Sequence, residues 1–256
     1  MNPLALALLK HHIQLLKKNR GYGRPSILTT DYIIGRIEYV LKTGCQWSCL
    51  PMQGGGCWKT VYHYFSKWSK AHVFEHCYSD LLKVYAKRGL SKEVIADTTF
   101  VKSIWGRDCV GKSPVDRGRN ATKVSVLVDA KGTHLHILFH PGNKNDSRSL
   151  PHLLDNVSRR ISIKGKDIYA DRIYDSSYCS DAVKRHDMNN KISKKRTKPD
   201  KVNNCTRIVV EHCFSWFDKY RRIILRYDGL ICHFRSFHFL AATCIVSPRC
   251  LSSWWS

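Results

Sequence analysis

Three carboxylates stand where acids could act together. Ile95-Ala96-Asp97 and Tyr169-Ala170-Asp171 are short apolar runs that each end in an aspartate. If both runs are neighbouring parallel strands, their C-terminal ends lie side by side at the edge where α/β sheets bind ligands. Two carboxylates so placed repel each other unless a cation lies between them. Hard divalent ions prefer oxygen donors, and Mg²⁺ binds through one or two carboxylates plus substrate phosphate. Two such ions roughly 3.5–4 Å apart activate an attacking oxygen and stabilise a leaving one. Glu211 is the candidate third acid. Val210, Cys213, Phe214 and Phe217 define a buried helical stripe with Glu211 at its margin. Arg207, one turn earlier, is placed to orient Glu211 or to clamp a phosphate. The plainer alternatives are turn or cap roles for the two aspartates and an ordinary helix ion pair for Arg207 and Glu211.

The elements that must position these residues can be read from periodicity and turn chemistry. Residues 27–90 read as helical: Thr29-Thr30-Asp31 is a cap ahead of Tyr32, Ile33, Ile34, Ile37, Val40 and Leu41, and Gly44 is a stop. Further helices are expected from Trp58 through Trp68 and from Val73 to Arg88, giving a small helix-turn-helix-like DNA reader or a bundle that only packs on the next domain. From residue 93 the texture changes. Val124–Val128, the turn Asp129-Ala-Lys-Gly132 and His134–Phe139 form a hairpin. Helical spacing recurs over 147–161 and 176–187, with a short strand at Lys191 and a long helix from Thr206 to Arg222. The order β-β-β-α-β-α-β-α is that of a mixed α/β domain. Residues 1–26 are expected to be a basic arm, amphipathic or flexible, and 247–256 a tail without assignment.

Composition narrows the function classes. The 256 residues carry 43 Lys and Arg against 20 Asp and Glu, a formal charge of +23 that points to a polyanionic partner. A hydrophobic content of 43% with 11% aromatics excludes a disordered basic tail. No run approaches the length of a membrane span, and the basic residues are not gathered on one amphipathic helix, so no membrane role is expected. The eleven cysteines form no regular framework and read as reduced thiols. Cys45, Cys49, Cys57 and His63 could be arranged as zinc ligands, but no C-x-x-C pair is present.

The motifs together resemble those of bacterial insertion-sequence transposases of the insertion-sequence-five group. Ile95-Ala-Asp-Thr-Thr-Phe-Val-Lys-Ser103 with Asp116-Arg-Gly-Arg-Asn-Ala-Thr-Lys123 resembles their first catalytic block. Val128–Gly132 and Pro141–Ser147 resemble the next segments, Ala170-Asp-Arg-Ile-Tyr-Asp-Ser176 the second block, and Val210-Glu-His-Cys-Phe-Ser-Trp-Phe-Asp-Lys-Tyr-Arg-Arg222 with Arg226-Tyr-Asp228 the third. Thr43–Trp47 and Trp58–Trp68 resemble the N-terminal domain of that group, so the likeness covers nearly all of 27–245. Two departures stand out. Ile173 replaces a glycine and would be strained if the backbone there had positive φ. Asn204 stands where the third block has tyrosine.

The resemblance implies an RNase H-like catalytic domain over 91–246: a mixed five-stranded sheet flanked by helices, preceded by the small all-α domain at 27–90. It implies a triad of Asp97, Asp171 and Glu211 holding two Mg²⁺ or Mn²⁺ ions. DNA contacts are expected from Lys123, Arg207 and Tyr174, and from the basic loop with Lys194, Lys195 and Arg196. Trp216 is a candidate for base stacking or for a core or partner-facing role. The implied reaction is cleavage at the element's ends and strand transfer into target DNA. The implied partners are double-stranded DNA, meaning terminal inverted repeats and target, and a second copy as homodimer; the implied place is the bacterial cytoplasm at the nucleoid. The alternatives are a metal-dependent endonuclease on the same fold and a decayed, DNA-binding copy.

Overall fold

The computed structural model describes residues 1–18, 27–54, 56–195 and 201–251, the side chains of 17–18 and 201–207 excepted. Four helices come first: α1 (Pro3–Lys18), α2 (Thr30–Thr43), α3 (Trp58–Lys70) and α4 (Val73–Ala86). The Thr29 hydroxyl accepts from the amide of Tyr32 and starts α2; Gly44, at φ 70, ends it in the left-handed conformation open to glycine. The stretch expected as an arm holds α1. Its Ala5, Leu9 and Ile13 recur at helical spacing and are buried, so the helix docks on α4 by its apolar face. Residues 19–26 lie outside the described part.

The sheet comes next in the chain. Its strands are β1 (Glu93–Lys102), β2 (Gly111–Lys112), β3 (Asn120–Asp129), β4 (His134–Pro141), β5 (Asp167–Tyr169) and β6 (Asn189–Asn190). β1 pairs antiparallel with β3 and parallel with β5, and β5 is parallel to β6. β4 and the two-residue β2 both pair with β3. Four of the five expected strands are present where the sequence put them; the fifth, expected from Lys191, is β6 two residues earlier, and β2 is a small addition that makes six among the described residues. β3 is buried at every position after its first, which is why Val124–Val128 reads as a continuous apolar run and not as an alternation.

Two layers of helix cover the sheet. α5 (Ser149–Ser158) and α6 (Ser177–Arg185) pack together on one face. On the other lie α7 (Lys201–Asp218), the single turn α8 (Arg221–Ile224) and α9 (Ile231–Leu251). α9 has no counterpart among the expected helices. Phe234, Phe237, Phe239, Leu240, Ala241 and Ala242 are all buried, so it is apolar around its whole circumference and shows no amphipathic stripe. It also absorbs the start of the expected tail: residues 247–251 are its last turns, with Cys250 buried and Arg249 bonded to the carbonyl of Lys131 and the hydroxyl of Thr133.

α9 is what joins the two halves of the chain. Phe237 stacks on Phe65 of α3 at 4.5 Å, and Phe239 lies against Tyr78 of α4 at 5.8 Å. A single cluster of buried apolar residues runs from Leu9 to Cys250. The helices before residue 90 and the sheet after it thus share one core.

Candidate active site

Two strands and their register place the candidate acids. In the parallel pair, Ile95 of β1 stands beside Tyr169 of β5. Two residues beyond each are Asp97, still within β1, and Asp171, which follows the end of β5. Asp97 is not at the end of its strand, where the apolar run alone would put it. β1 continues to Lys102 because its antiparallel partner β3 continues to Ala121, whereas its parallel partner stops at Tyr169. The functional edge is therefore the end of β5.

The faces are set by alternation. Thr98 points to the α5–α6 side, where its hydroxyl meets those of Ser125 at 2.5 Å and Tyr174 at 2.9 Å. Asp97, its neighbour, takes the opposite face. There its cross-strand partner is Val126, and the neighbouring Val124 pairs with Phe139, which packs on Phe234 and His238 of α9. α7 lies on this same side, since Phe217 stacks on His134 at 4.2 Å and touches His238. Val210, Cys213 and Phe217 are its buried stripe, as the spacing required. Glu211 is exposed beside that stripe.

Local bonds hold the two aspartates. A carboxylate oxygen of Asp97 accepts from the amide of Thr98 at 2.8 Å. Asp171 caps the short turn Arg172–Tyr174 by accepting from the amide of Ile173 at 2.9 Å. Ile173 has a negative φ there and is half exposed, so the departure from glycine carries no backbone strain. Both aspartates supply hard oxygen donors of the kind Mg²⁺ takes together with substrate phosphate. Among the described residues no three His, Cys, Asp or Glu side chains form a group able to hold a metal. Cys45, Cys49, Cys57 and His63 form none either.

The expected DNA contacts divide sharply. Lys123 is corrected: it is 4% exposed, its ammonium bonds Asp146 at 2.5 Å and the carbonyl of Lys144, and it lies over the ring of Phe100. Tyr174 is corrected too, being 1% exposed with its hydroxyl turned inward to Thr98. In both cases an internal partner takes the polar atom away from solvent. Lys194 and Lys195 are exposed near the acids. The ammonium of Lys194 and the amide of Lys195 both bond Asp175, and the Lys195 amide first, then Lys194, hold that carboxyl below its ordinary range. Arg196 and the side chain of Arg207 lie outside the described residues, as does the side chain of Asn204. Trp216 is half buried against Gly132, with the Arg249 guanidinium 4.5 Å over its ring, which leaves it a packing role.

Sequence reasoning missed a chain of hydrogen bonds beneath the site. It runs from the Tyr174 hydroxyl through Thr98 and Ser125 to Nε2 of His140. The signal was available: Thr98 comes directly after Asp97, Tyr174 is three residues past Asp171, and alternation puts Thr98 behind the acid. It also missed Arg226, fully buried and bonded to Asp108, Thr122 and three carbonyls.

Residues 88–245 match the family described as "Transposase DDE domain", and residues 5–78 match "Putative transposase of IS4/5 family". The "Putative transposase for insertion sequence element IS402" of Burkholderia cepacia is 32% identical over 130 residues, 48% of this chain and 62% of that protein. The chain thus spans less than two thirds of that relative's length. Among solved structures, the piggyBac transposase synaptic complex with hairpin DNA superposes with a TM-score of 0.52 at 10% identity, over 96% of this chain and 65% of that one. The catalytic domain of Mos1 mariner transposase gives 0.32 at 11% identity, over 78% and 97%. The mixed sheet flanked by helices is RNase H-like, with the helical region ahead of it. With the "Transposase DDE domain" family matching more than half of its length, the chain belongs to the DDE transposases, and its first helices are similar to the IS4/5 group.

Proposed function

We propose that this chain cleaves DNA at the ends of an insertion sequence and joins those ends to target DNA, with Asp97, Asp171 and Glu211 as its acids. The observation that supports the reading is the parallel register of β1 and β5, in which Ile95 stands beside Tyr169 two residues before Asp97 and Asp171, with α7 packed against β1. Asp97 and Asp171 would hold divalent ions of the Mg²⁺ or Mn²⁺ class together with the DNA phosphate, and Glu211 would complete the set from α7. Such ions supply an activated attacking oxygen and offset charge on the leaving one.

The protein's own residues do the rest. The bonded segment Asp171–Tyr174 and the strand β1 fix the two carboxylates relative to each other. Lys194 and Lys195, anchored at Asp175, offer positive charge to the DNA backbone beside the acids. The formal charge of +23 supports a DNA partner over most of the surface. Terminal inverted repeats and target duplex are the substrates, and two copies act on paired ends. The piggyBac neighbour was captured as a synaptic complex with hairpin DNA, in keeping with this assignment.

The test is incubation of the protein with labelled duplex carrying its own element's end and a target plasmid. Mg²⁺ is present or absent, and Asp97→Ala is run in parallel. Metal-dependent nicking followed by joining to the plasmid, both lost in the variant, is the expected result. Nicking without joining would make the chain an endonuclease, and binding without nicking would make it a DNA-binding copy only.

A further inference from the structure

The most exposed tryptophan among the described residues is not in the catalytic helix. Trp105 is 64% exposed and meets Tyr227, 39% exposed, edge to face with ring centroids 5.5 Å apart. The two come from separate loops, one leaving β1 and one between α8 and α9. An exposed indole costs free energy in water, so a structure that holds one rigidly calls for a reason.

It is held rigidly. The amide of Ile104 bonds the carbonyl of Arg226, the amide of Arg226 bonds the carbonyl of Lys102, and the amide of Arg107 bonds that of Gly229. Ser103 and Arg226 form a parallel bridge. Beneath them the buried Arg226 guanidinium reaches Asp108, Thr122 and the carbonyls of Cys109 and Gly229. Gly106 passes so close over it that a Cβ would collide with the Ser103 hydroxyl. An arginine with this many bonds in a buried site is a costly staple, and what it fixes is the placement of two outward-facing aromatic rings.

The unpaired charge of the two loops is positive, since their acids are matched by arginines. Both acids of the two loops are paired: Asp108, itself exposed, with Arg226 and the amide of Ile231, and the buried Asp228 with Arg222. Lys102 and Arg107 are exposed on either side, the Arg107 side chain lying over Gly229 two residues from Tyr227. Rigid aromatic faces with cationic flanks are what an unpaired or unstacked nucleobase needs: a π surface for the base and charge for its phosphates.

We propose that Trp105 and Tyr227 form a base-stacking platform for one DNA strand, separate from the carboxylate site and on the same strand β1. This rests on the DNA reading above. The distance is set by the strand. Asp97 to Lys102 is five steps of about 3.3 Å, so the platform lies about 17 Å or more from the acid. At about 3.4 Å per nucleotide along a duplex strand, the stacked base is about five nucleotides from the phosphate being cut. Trp216, the tryptophan that the motifs brought forward, is packed and cannot take this part.

The experiment compares wild type, Trp105→Ala, Trp105→Phe and Arg107→Ala for binding to short oligothymidylate and to end duplex, across a salt series. Trp105→Ala is expected to weaken oligothymidylate binding about 5- to 100-fold with an unchanged salt slope. Trp105→Phe keeps most of the affinity, and Arg107→Ala lowers the slope by about one charge. An abasic site about five nucleotides from the cut should reproduce the Trp105→Ala loss in wild type and add nothing in the variant. Wild-type affinity in Trp105→Ala would overturn the platform while leaving the DNA reading intact. So would a loss of self-association, seen by sedimentation, with DNA affinity unchanged; the rings would then be an interface between copies. If wild type bound neither DNA, the DNA reading itself would fall.

Discussion

The hydroxyl of Thr98 lies 2.9 Å from that of Tyr174, and this bond ties together the two segments that carry Asp97 and Asp171. Thr98 adjoins the first acid directly, and Tyr174 closes the short turn that the second acid caps. Burial pushes the Tyr174 phenol well up, so it stays protonated and keeps a hydrogen to donate. Tyr174→Phe should cost about 1 kcal/mol, because Thr98 keeps its bond to Ser125. In a chain of this size that lowers Tm by about 2–4 °C. The nicking rate should fall further than stability does, since the carboxylates lose their mutual anchor. Thr98→Ser should restore what Thr98→Val loses; equal rates in both variants would count against a positioning role.

Divalent ions should report on the acids without any DNA. Mg²⁺ or Mn²⁺ is expected to raise Tm of the wild type by binding the folded state alone. Asp97→Asn and Asp171→Asn should abolish that rise. Glu211→Gln should keep part of it, because both aspartates remain to bind the ion. Nicking should fall in all three by more than the roughly 10- to 100-fold that loss of a ligand's supporting partner costs. A full Tm rise in Asp97→Asn would remove that residue from the metal site.

Two lysines expected to do the same work should behave differently. Lys123 is 5% exposed at its side chain and paired with Asp146 at 16%, whereas Lys194 is 57% exposed. Lys123→Met leaves a largely buried carboxylate without its cation and should destabilise by about 3–5 kcal/mol. Its effect on the salt slope of DNA binding should be nil. Lys194→Ala should be nearly neutral in Tm and lower the slope by about one charge. Urea melts and a salt titration on the same samples check both. A lowered slope in Lys123→Met would mean its ammonium reaches DNA after all.

These contrasts show what the sequence could and could not say. The strands that lead to Asp97 and Asp171 were legible because short apolar runs bounded by polar residues mark buried strands, and Val210, Cys213 and Phe217 because a half-buried helix shows its period. Lys123 and Tyr174 were misread because a motif fixes residue type but not direction. Only the cross-strand environment, Asp146 for one and Thr98 for the other, turns them inward. α9 was invisible as a helix because burial on every side erases the stripe that periodicity depends on. Trp105 and Tyr227 were out of reach for another reason: they are brought together from more than a hundred positions apart by Arg226, and no local pattern encodes that.

Buried histidines predict how the fold meets acid. Burial, with Arg249 nearby, holds His134 down to about 3, and burial with Arg160 nearby does the same for His136. His140 and His238 are held to about 4, again chiefly by burial. In the unfolded chain each titrates near 6.5. Above that pH neither state binds the proton, and stability is indifferent to these groups. Below it the unfolded chain takes up protons that the folded one refuses, so stability falls as pH drops from about 6.5 toward 4, by about 1 kcal/mol per pH unit for each group. His134 is the sharpest case, since it stacks on Phe217 at 4.2 Å and neither ring nitrogen has a hydrogen-bond partner. His134→Leu removes both unsatisfied atoms and should raise stability at neutral pH. Its advantage over wild type should widen at pH 5, where about 2 kcal/mol more separates them. Urea melts at the two pH values decide it: an advantage that does not grow on acidification would show that His134 is not held neutral in the folded protein.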